Sequence, residues 1–329
     1  VSALRWAIGL VLAGLVGWFA VDEARGTGDG AQARSSLTII APAAAGGGWD
    51  LVAREMQQAL RTDGIVGNVQ VVNVPGAAGT IGLSQLARMD GDPTTIMVTG
   101  TVMVGGIGMS DSSTTLTEVT PVSRLAEDFE VVAVPADSDL ETFEDVVTAW
   151  QENPTMPIGG GSAGGIDHMI AAQLAEATGV GAAELHYTPH AGGGELTLSL
   201  LSDASGTVDV GISGYNDFRD LIDGGRLRAV AVVAPEPLEG VDAPTMIDLG
   251  YPEVDMVNWR GIVAAPGITD EERDELLDIV EEMTQTTSWD EAIERNRWEE
   301  SWQGPDDFRE FLVGEQERID AILEELGLS

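Results

Sequence analysis

The sequence predicts an α/β protein of two lobes arranged as a clamshell, with a ligand cleft between them. Three observations carry that expectation. β-prone runs alternate with helix-patterned runs, the signature of parallel sheet covered by helices. The C-terminal ends of these runs open repeatedly onto glycine-rich loops, where the crevice of an open α/β sheet lies. The pattern also restarts near residue 136, before a late strand at 259–266 returns the chain to the first lobe. The expected division is residues 36–135 plus 259–329 for the first lobe and 136–258 for the second.

The first β-prone run, 37–40, feeds Pro42-Ala43-Ala44-Ala45-Gly46-Gly47-Gly48-Trp49-Asp50. A 3.6-residue apolar stripe follows, through Leu51, Val52, Met56, Ala59 and Leu60. Consecutive glycines let amide N–H groups turn toward a ligand, and a helix entry adds unsatisfied donors and a positive dipole end. Together they hold an anion without an arginine. A plain strand-to-helix turn with Asp50 as N-cap or first-turn acid accounts for the same residues. Strand 69–74 leads into a second glycine-rich loop that contains Ala77, Ala78, Gly79 and Thr80, and a helix near 81–89 follows. A third strand, 95–99, ends at Thr99 and opens onto a polar-glycine stretch, 100–113.

Residues 129–135 read as a further strand, and a helix near 140–151 has Thr142 as its N-cap. In the second lobe, residues 156–158 run into Gly159-Gly160-Gly161-Ser162-Ala163-Gly164-Gly165, and a helix near 167–178 carries His168. Residues 184–187, ending at Tyr187, read as a short strand before a loop at 190–195 and a helix at 196–201. Strand 208–212 ends at Ser213-Gly214-Tyr215, and a helix at 218–222 and a buried strand at 227–233 follow. Acid-rich amphipathic helices at 270–284, 289–297 and 306–326 close the chain, their charge read as a solvated face.

Composition narrows the function. With 43% hydrophobic and 22% charged residues, the 329-residue chain is globular and large enough for two lobes. A formal net charge of −39 excludes nucleic acid as a partner. All sixteen basic residues are arginine, which fits a GC-rich genome or a saline habitat. Such a surface opposes anions at long range, so an anion site must work through local donors. There is no cysteine. Arg5 precedes an apolar run, 6–21, broken only by glycines, and Ala31-Gln32-Ala33 offers a cleavage site. Residues 1–33 are therefore read as a signal peptide or membrane anchor, with the rest of the protein outside the cytoplasmic membrane.

Two enzyme patterns fall on one loop. Gly159 to Gly164 satisfies G-x-G-x-x-G, with Glu184 near the dinucleotide-fingerprint spacing, but a glycine-rich chain makes chance matches easy. Gly160 to Gly164 also reads G-x-S-x-G around Ser162, a hydrolase elbow. The only histidines are His168, His186 and His190, and the last two lie too near Ser162 in the chain for that fold. His186 and His190 cannot share a helical face across Pro189, so no metal site, cofactor or catalytic set is expected.

Laid side by side, these loops resemble the receptors of tripartite tricarboxylate transporters, the Bug family. The family's P-x-x-x-G-G-x-x-D pattern is matched from Pro42 to Asp50, and N-x-P-G-A-x-G-x-x-G from Asn73 to Gly82. The Gly-Ser-x-Gly loop is matched at Gly161, Ser162 and Gly164, with His168 on the helix after it. Gly225-Arg226-Leu227-Arg228-Ala229-Val230-Ala231 mirrors a further family strand. Two departures stand out: Ala43-Ala44 replaces the family's Phe-Pro, and Tyr187-Thr188-Pro189-His190 lacks its lysine.

The resemblance implies a periplasmic-binding-protein-like clamshell of type II. Its bearer is an extracytoplasmic, non-enzymatic receptor, monomeric, that passes a small organic carboxylate to membrane permease subunits. It places ligand against the N–H groups of residues 44–48 and against Ala77, Ala78, Gly79 and Thr80. Ser162, Ala163 and Gly164 face it from the second lobe. Ala43, Gly46, Gly47, Gly48, Trp49, Asp50, Thr99, Gly161, His168, Tyr187, Gly214 and Tyr215 complete the expected site. Presentation of the ligand to a signalling partner is the alternative, and a hydrolase using Ser162 a third reading.

Overall fold

Two sheets share the chain in a computed structural model that describes residues 30–110, 112–202, 207–325 and 327–328. The order begins α1 (Gly30–Ser35), β1 (Ser36–Ala41), α2 (Gly48–Thr62), β2 (Asn68–Asn73), α3 (Thr80–Leu86), β3 (Thr95–Gly100), α4 (Thr101–Ser110) and β4 (Thr120–Asp128). It continues through β5 (Glu130–Pro135), α5 (Phe143–Glu152), β6 (Ile158–Gly160), α6 (Ile166–Ala177), β7 (Tyr187–Pro189), α7 (Gly193–Leu200), β8 (Val210–Gly214), α8 (Tyr215–Asp223) and β9 (Leu227–Val233). It ends with β10 (Asn258–Ala264), α9 (Asp270–Thr284), α10 (Thr287–Asn296), β11 (Glu299–Gln303) and α11 (Pro305–Glu325).

The first sheet has the order β11-β4-β10-β3-β1-β2, the second β7-β6-β8-β5-β9. β1 is parallel to β2 and β3, whereas β10 is antiparallel to both β3 and β4. Every residue of β3 and β10 is buried, as befits central strands covered on both faces. α2 lays Val52, Met56, Ala59 and Leu60 on the core as the sequence stripe predicted, with Ala53 beside them, whereas Leu51 of that stripe is exposed. α5 starts in a reciprocal capping box, with Thr142 accepting the Asp145 N–H and Asp145 accepting that of Thr142.

The chain crosses between the sheets at two points. β4 ends at Asp128 and β5 begins at Glu130, so Phe129 alone separates a strand of one sheet from a strand of the other. The return is made before Asn258, where β10 re-enters the first sheet. The expectation that the first lobe runs to residue 135 is corrected here: β5 pairs with β8 and β9 in the second sheet.

Other expectations shift too. The polar-glycine stretch 100–113, given no element from the sequence, holds the helix α4 over 101–110. Its glycines serve close approach: a Cβ at Gly105 would lie 2.6 Å from the Gly164 carbonyl oxygen, and one at Gly106 2.5 Å from the Ala78 Cβ. Residues 182–184 form a 3₁₀ turn, and the short strand begins only at Tyr187. β11 is an edge strand where none was expected. Residues 1–29, most of the expected signal or anchor, lie outside the described residues. No described helix is long and apolar enough to cross a membrane.

Candidate functional site

Four helices begin in the wall of one cleft of about 650 Å³ between the two sheets. α2, α6, α7 and α8 start there behind glycine N-caps, Gly47, Gly165, Gly192 and Gly214, none of them with a capping side chain. Each follows the carboxyl end of a strand, as the alternating pattern predicted. A glycine cap leaves first-turn donors open, and each N-terminus carries roughly half a positive charge. Four such ends turned toward one space make it receptive to anions.

The first loop is braced by Asp50. Its carboxylate accepts the Gly46 N–H at 2.7 Å, the Asn73 amide at 2.8 Å and Arg54 Nε at 2.9 Å. Burial works against that charge, but these three donors outweigh it and hold the carboxyl below its usual range. Asn73 also donates to the Ala43 carbonyl, so the second family motif ties down the first. The Gly46 and Gly47 N–H groups are thus spent within the loop, the latter on the Ala44 carbonyl. Gly48, within the expected range, keeps an open donor at the start of α2, and Trp49 and Asp50 extend the set beyond it.

The second loop is left-handed. Gly76, Ala77, Ala78 and Gly79 all have positive φ, at 126°, 48°, 50° and 92°. For the two alanines this conformation costs about 1–2 kcal/mol each. Thr80 Oγ donates back to the Ala77 carbonyl at 2.9 Å, and α4 packs against the turn through Gly106. Trp49 lies beneath it: a Cβ on Gly79 would come within 2.7 Å of the indole. Trp49 is only 7% exposed and also lines the cleft, so it serves as core and as wall.

Across the cleft the bracing recurs. Asp167 accepts the Gly161 N–H at 2.6 Å, and His168 Nδ1 accepts that of Gly164 at 3.0 Å. Tyr187 donates its hydroxyl to the Gly161 carbonyl and stacks on His168, with ring centroids 4.2 Å apart. Burial lowers the His168 pKa, which keeps the ring neutral as the acceptor this bond requires.

Of the residues expected at the site, Ala43, Ala44, Gly46, Gly47, Gly48, Trp49, Ala77, Ala78, Gly79, Gly161, Ser162 and Gly214 line the cleft. Asp50, Thr80, His168 and Tyr187 stand behind the wall and fix its loops. Thr99 is buried against Met103, Tyr215 packs with Phe129 and Phe218, and Gly164 closes against Met109 of α4. Ala163 is not among the lining residues.

The cleft floor is made largely of residues that the sequence reading did not select. Asp128 and Glu130 come from the outgoing crossing, Asn258 and Arg260 from the return, and Asp167 and Asp217 from the starts of α6 and α8. Arg260 bonds Asp128 at 3.1 Å and the Asn258 side-chain oxygen, and Asn258 donates to Glu130 at 3.1 Å. Burial raises all four carboxyls. Glu130 is pushed well above the usual carboxylate range, with the charges of Asp167, Asp128 and Asp217 adding to the effect of burial. Asp167 is pushed up to about 7, the Gly161 N–H opposing. Polar residues embedded in otherwise apolar crossing strands were the available signal.

A two-sheet α/β fold crossed twice around a cleft of helix N-termini defines a solute-binding receptor. The chain belongs to the TctC family, described as the tripartite tricarboxylate transporter family receptor, whose profile matches residues 52–328. It is 26% identical over 298 residues to BugT of Bordetella pertussis, covering 88% of this chain and 89% of that protein. The fold is similar to that of the periplasmic binding protein BugD (TM-score 0.75, 21% identity, 90% of this chain and 98% of BugD). It is also similar to that of MatC from Rhodopseudomonas palustris with bound malate (0.73, 18%, 88% and 99%). A further similar structure is an R. palustris protein with adipate (0.75, 21%, 89% and 97%).

Proposed function

We propose that the protein is an extracytoplasmic receptor that captures a small organic carboxylate in this cleft and hands it to the permease of a tripartite tricarboxylate transporter. The observation that carries this reading is the convergence of four glycine-capped helix starts on one cleft. One carboxylate lies against the open N–H groups of Gly48, Trp49 and Asp50 and against the Ala77–Gly79 turn; a second polar group meets Ser162. Charge-assisted bonds of this kind are short and about twice as strong as neutral ones. The malate and adipate of the two similar structures support the ligand class.

Binding proceeds without turnover. Ser162 has no hydrogen bond to a histidine among the described residues: His168 Nδ1 accepts from Gly164, and His190 and His186 place Nδ1 at the Gly160 and Thr155 carbonyls. Calorimetry and thermal shift with malate, succinate, adipate and citrate test the proposal. Saturable binding is expected, with stabilisation of about 2.7 kcal/mol at a hundredfold excess over Kd. If no carboxylate binds while a simple ester is hydrolysed, and Ser162→Ala abolishes that hydrolysis, the receptor reading is lost.

A further inference from the structure

The cleft floor sets four carboxyls, those of Asp128, Glu130, Asp167 and Asp217, against one arginine. Arg260 pairs with Asp128, and Glu130, Asp167 and Asp217 have no basic partner among the described residues. Asp217 accepts the Ser213 hydroxyl at 2.8 Å, and Asp167 accepts the Gly161 N–H. Glu130 is 1% exposed; its Oε1 takes the Asn258 amide, while its Oε2 meets no protein donor. Glu130 and Asp167 line the same cleft, and the charge of Asp167 adds to the burial that raises the Glu130 pKa. A buried carboxyl oxygen so placed, with no protein donor, must carry a proton or receive a donor from outside.

We propose that this floor is a cation subsite and that the ligand is zwitterionic: a small carboxylate that also bears a protonated primary or secondary amine. The inference rests on the carboxylate reading above and narrows it. The ammonium donates to the unpartnered Glu130 Oε2, with the charges of Asp167 and Asp217 adding to its hold, and a proton carried by Glu130 leaves to solvent. The carboxylate takes the helix starts on the other side of Arg260, whose Nη2 would lie 3.3 Å from a Cβ on Gly48.

Three considerations favour an organic cation. An ammonium has three donors and no acceptor, which suits a floor of carboxyl oxygens. A second carboxylate in its place would meet carboxyl oxygens of like sign where water screens them little. Among the described residues, no three acidic or histidine side chains are arranged to hold a metal ion. The other groups facing the floor are the Tyr187 hydroxyl and Asn258, both donors that stay neutral, and the Asp128–Arg260 pair.

The experiment is calorimetry on the purified protein in two buffers of unequal ionisation enthalpy, with matched probes. Aspartate is set against malate, 4-aminobutyrate against succinate, and 1,4-diaminobutane serves as the amine without a carboxylate. The amino acid of at least one pair is expected to bind ten-fold or more tighter than its partner, with proton release. Glu130→Gln and Asp217→Asn, both isosteric and checked for folding by melting, should shrink that ratio about ten-fold. If malate and succinate bind and neither amino compound outbinds its partner, the inference is overturned and the carboxylate receptor stands. Binding of 1,4-diaminobutane alone overturns the carboxylate reading and the zwitterion with it, and binding of none of the five overturns the zwitterion.

Discussion

Asp50 and Asp167 occupy equivalent places, each folding back onto the loop before its own helix, yet their charges have opposite consequences. Three donors hold Asp50 ionised, so its contribution to stability is present above the unfolded carboxyl pKa and fades as the pH falls through its depressed folded value. Asp50→Ala leaves the Gly46 N–H, Asn73 and Arg54 without their acceptor and should cost about 3 kcal/mol in urea denaturation at pH 7. Asp167 has a raised pKa, so its contribution is present below the ordinary value of 3.8 and is lost as pH rises toward and through about 7. The ligand-free protein should therefore show a falling urea midpoint from pH 5 to pH 8. Asp167→Asn, which keeps an acceptor for Gly161, should flatten that slope; a parallel slope in the variant would show that other groups set it.

At the scale of the element, α4 shows why part of the fold was legible and part was not. Strands β1, β3 and β9 announced themselves through apolar runs, and α5 through its Thr142 cap. A glycine-bearing run such as 100–113 is ambiguous, because chain reversal and close packing call for the same residue. Here the packing partners, the Ala78 turn and Gly164, are distant in sequence, so the reason for the glycines appears only once the chain is folded. The same holds for β5, whose sheet is chosen by long-range pairing, and for β11, whose Glu-Glu-Ser-Trp-Gln carries no apolar run. The site divided likewise: backbone loops were readable from glycine spacing, whereas the acidic floor is assembled from four separate segments. Gly106→Ala should push the new methyl into Ala78, destabilising the protein by about 1–3 kcal/mol and weakening ligand affinity through the displaced turn. Unchanged affinity by calorimetry would uncouple α4 from the turn.

For the whole molecule, the net charge of −39 acts on any ligand before contact. A dianion approaches against this field and a zwitterion does not. Added salt shortens the screening length from about 10 Å at 0.1 M to about 3 Å at 1 M. The association rate of malate should therefore rise with sodium chloride, the reverse of the usual behaviour of ion-pair binding, while that of a zwitterion stays level. Stopped-flow fluorescence can follow it, since Trp49 and Trp298 line the cleft. The glycine caps have a different consequence, for change over generations. An anion held by main-chain amides is held by atoms that side-chain substitution does not remove, so alanine scanning of the caps would leave those donors in place. Wall residues such as Ala43, Ala44 and Val102 are free to vary around that constant hold. New ligand preferences can therefore arise by small steps without passing through a form that binds nothing.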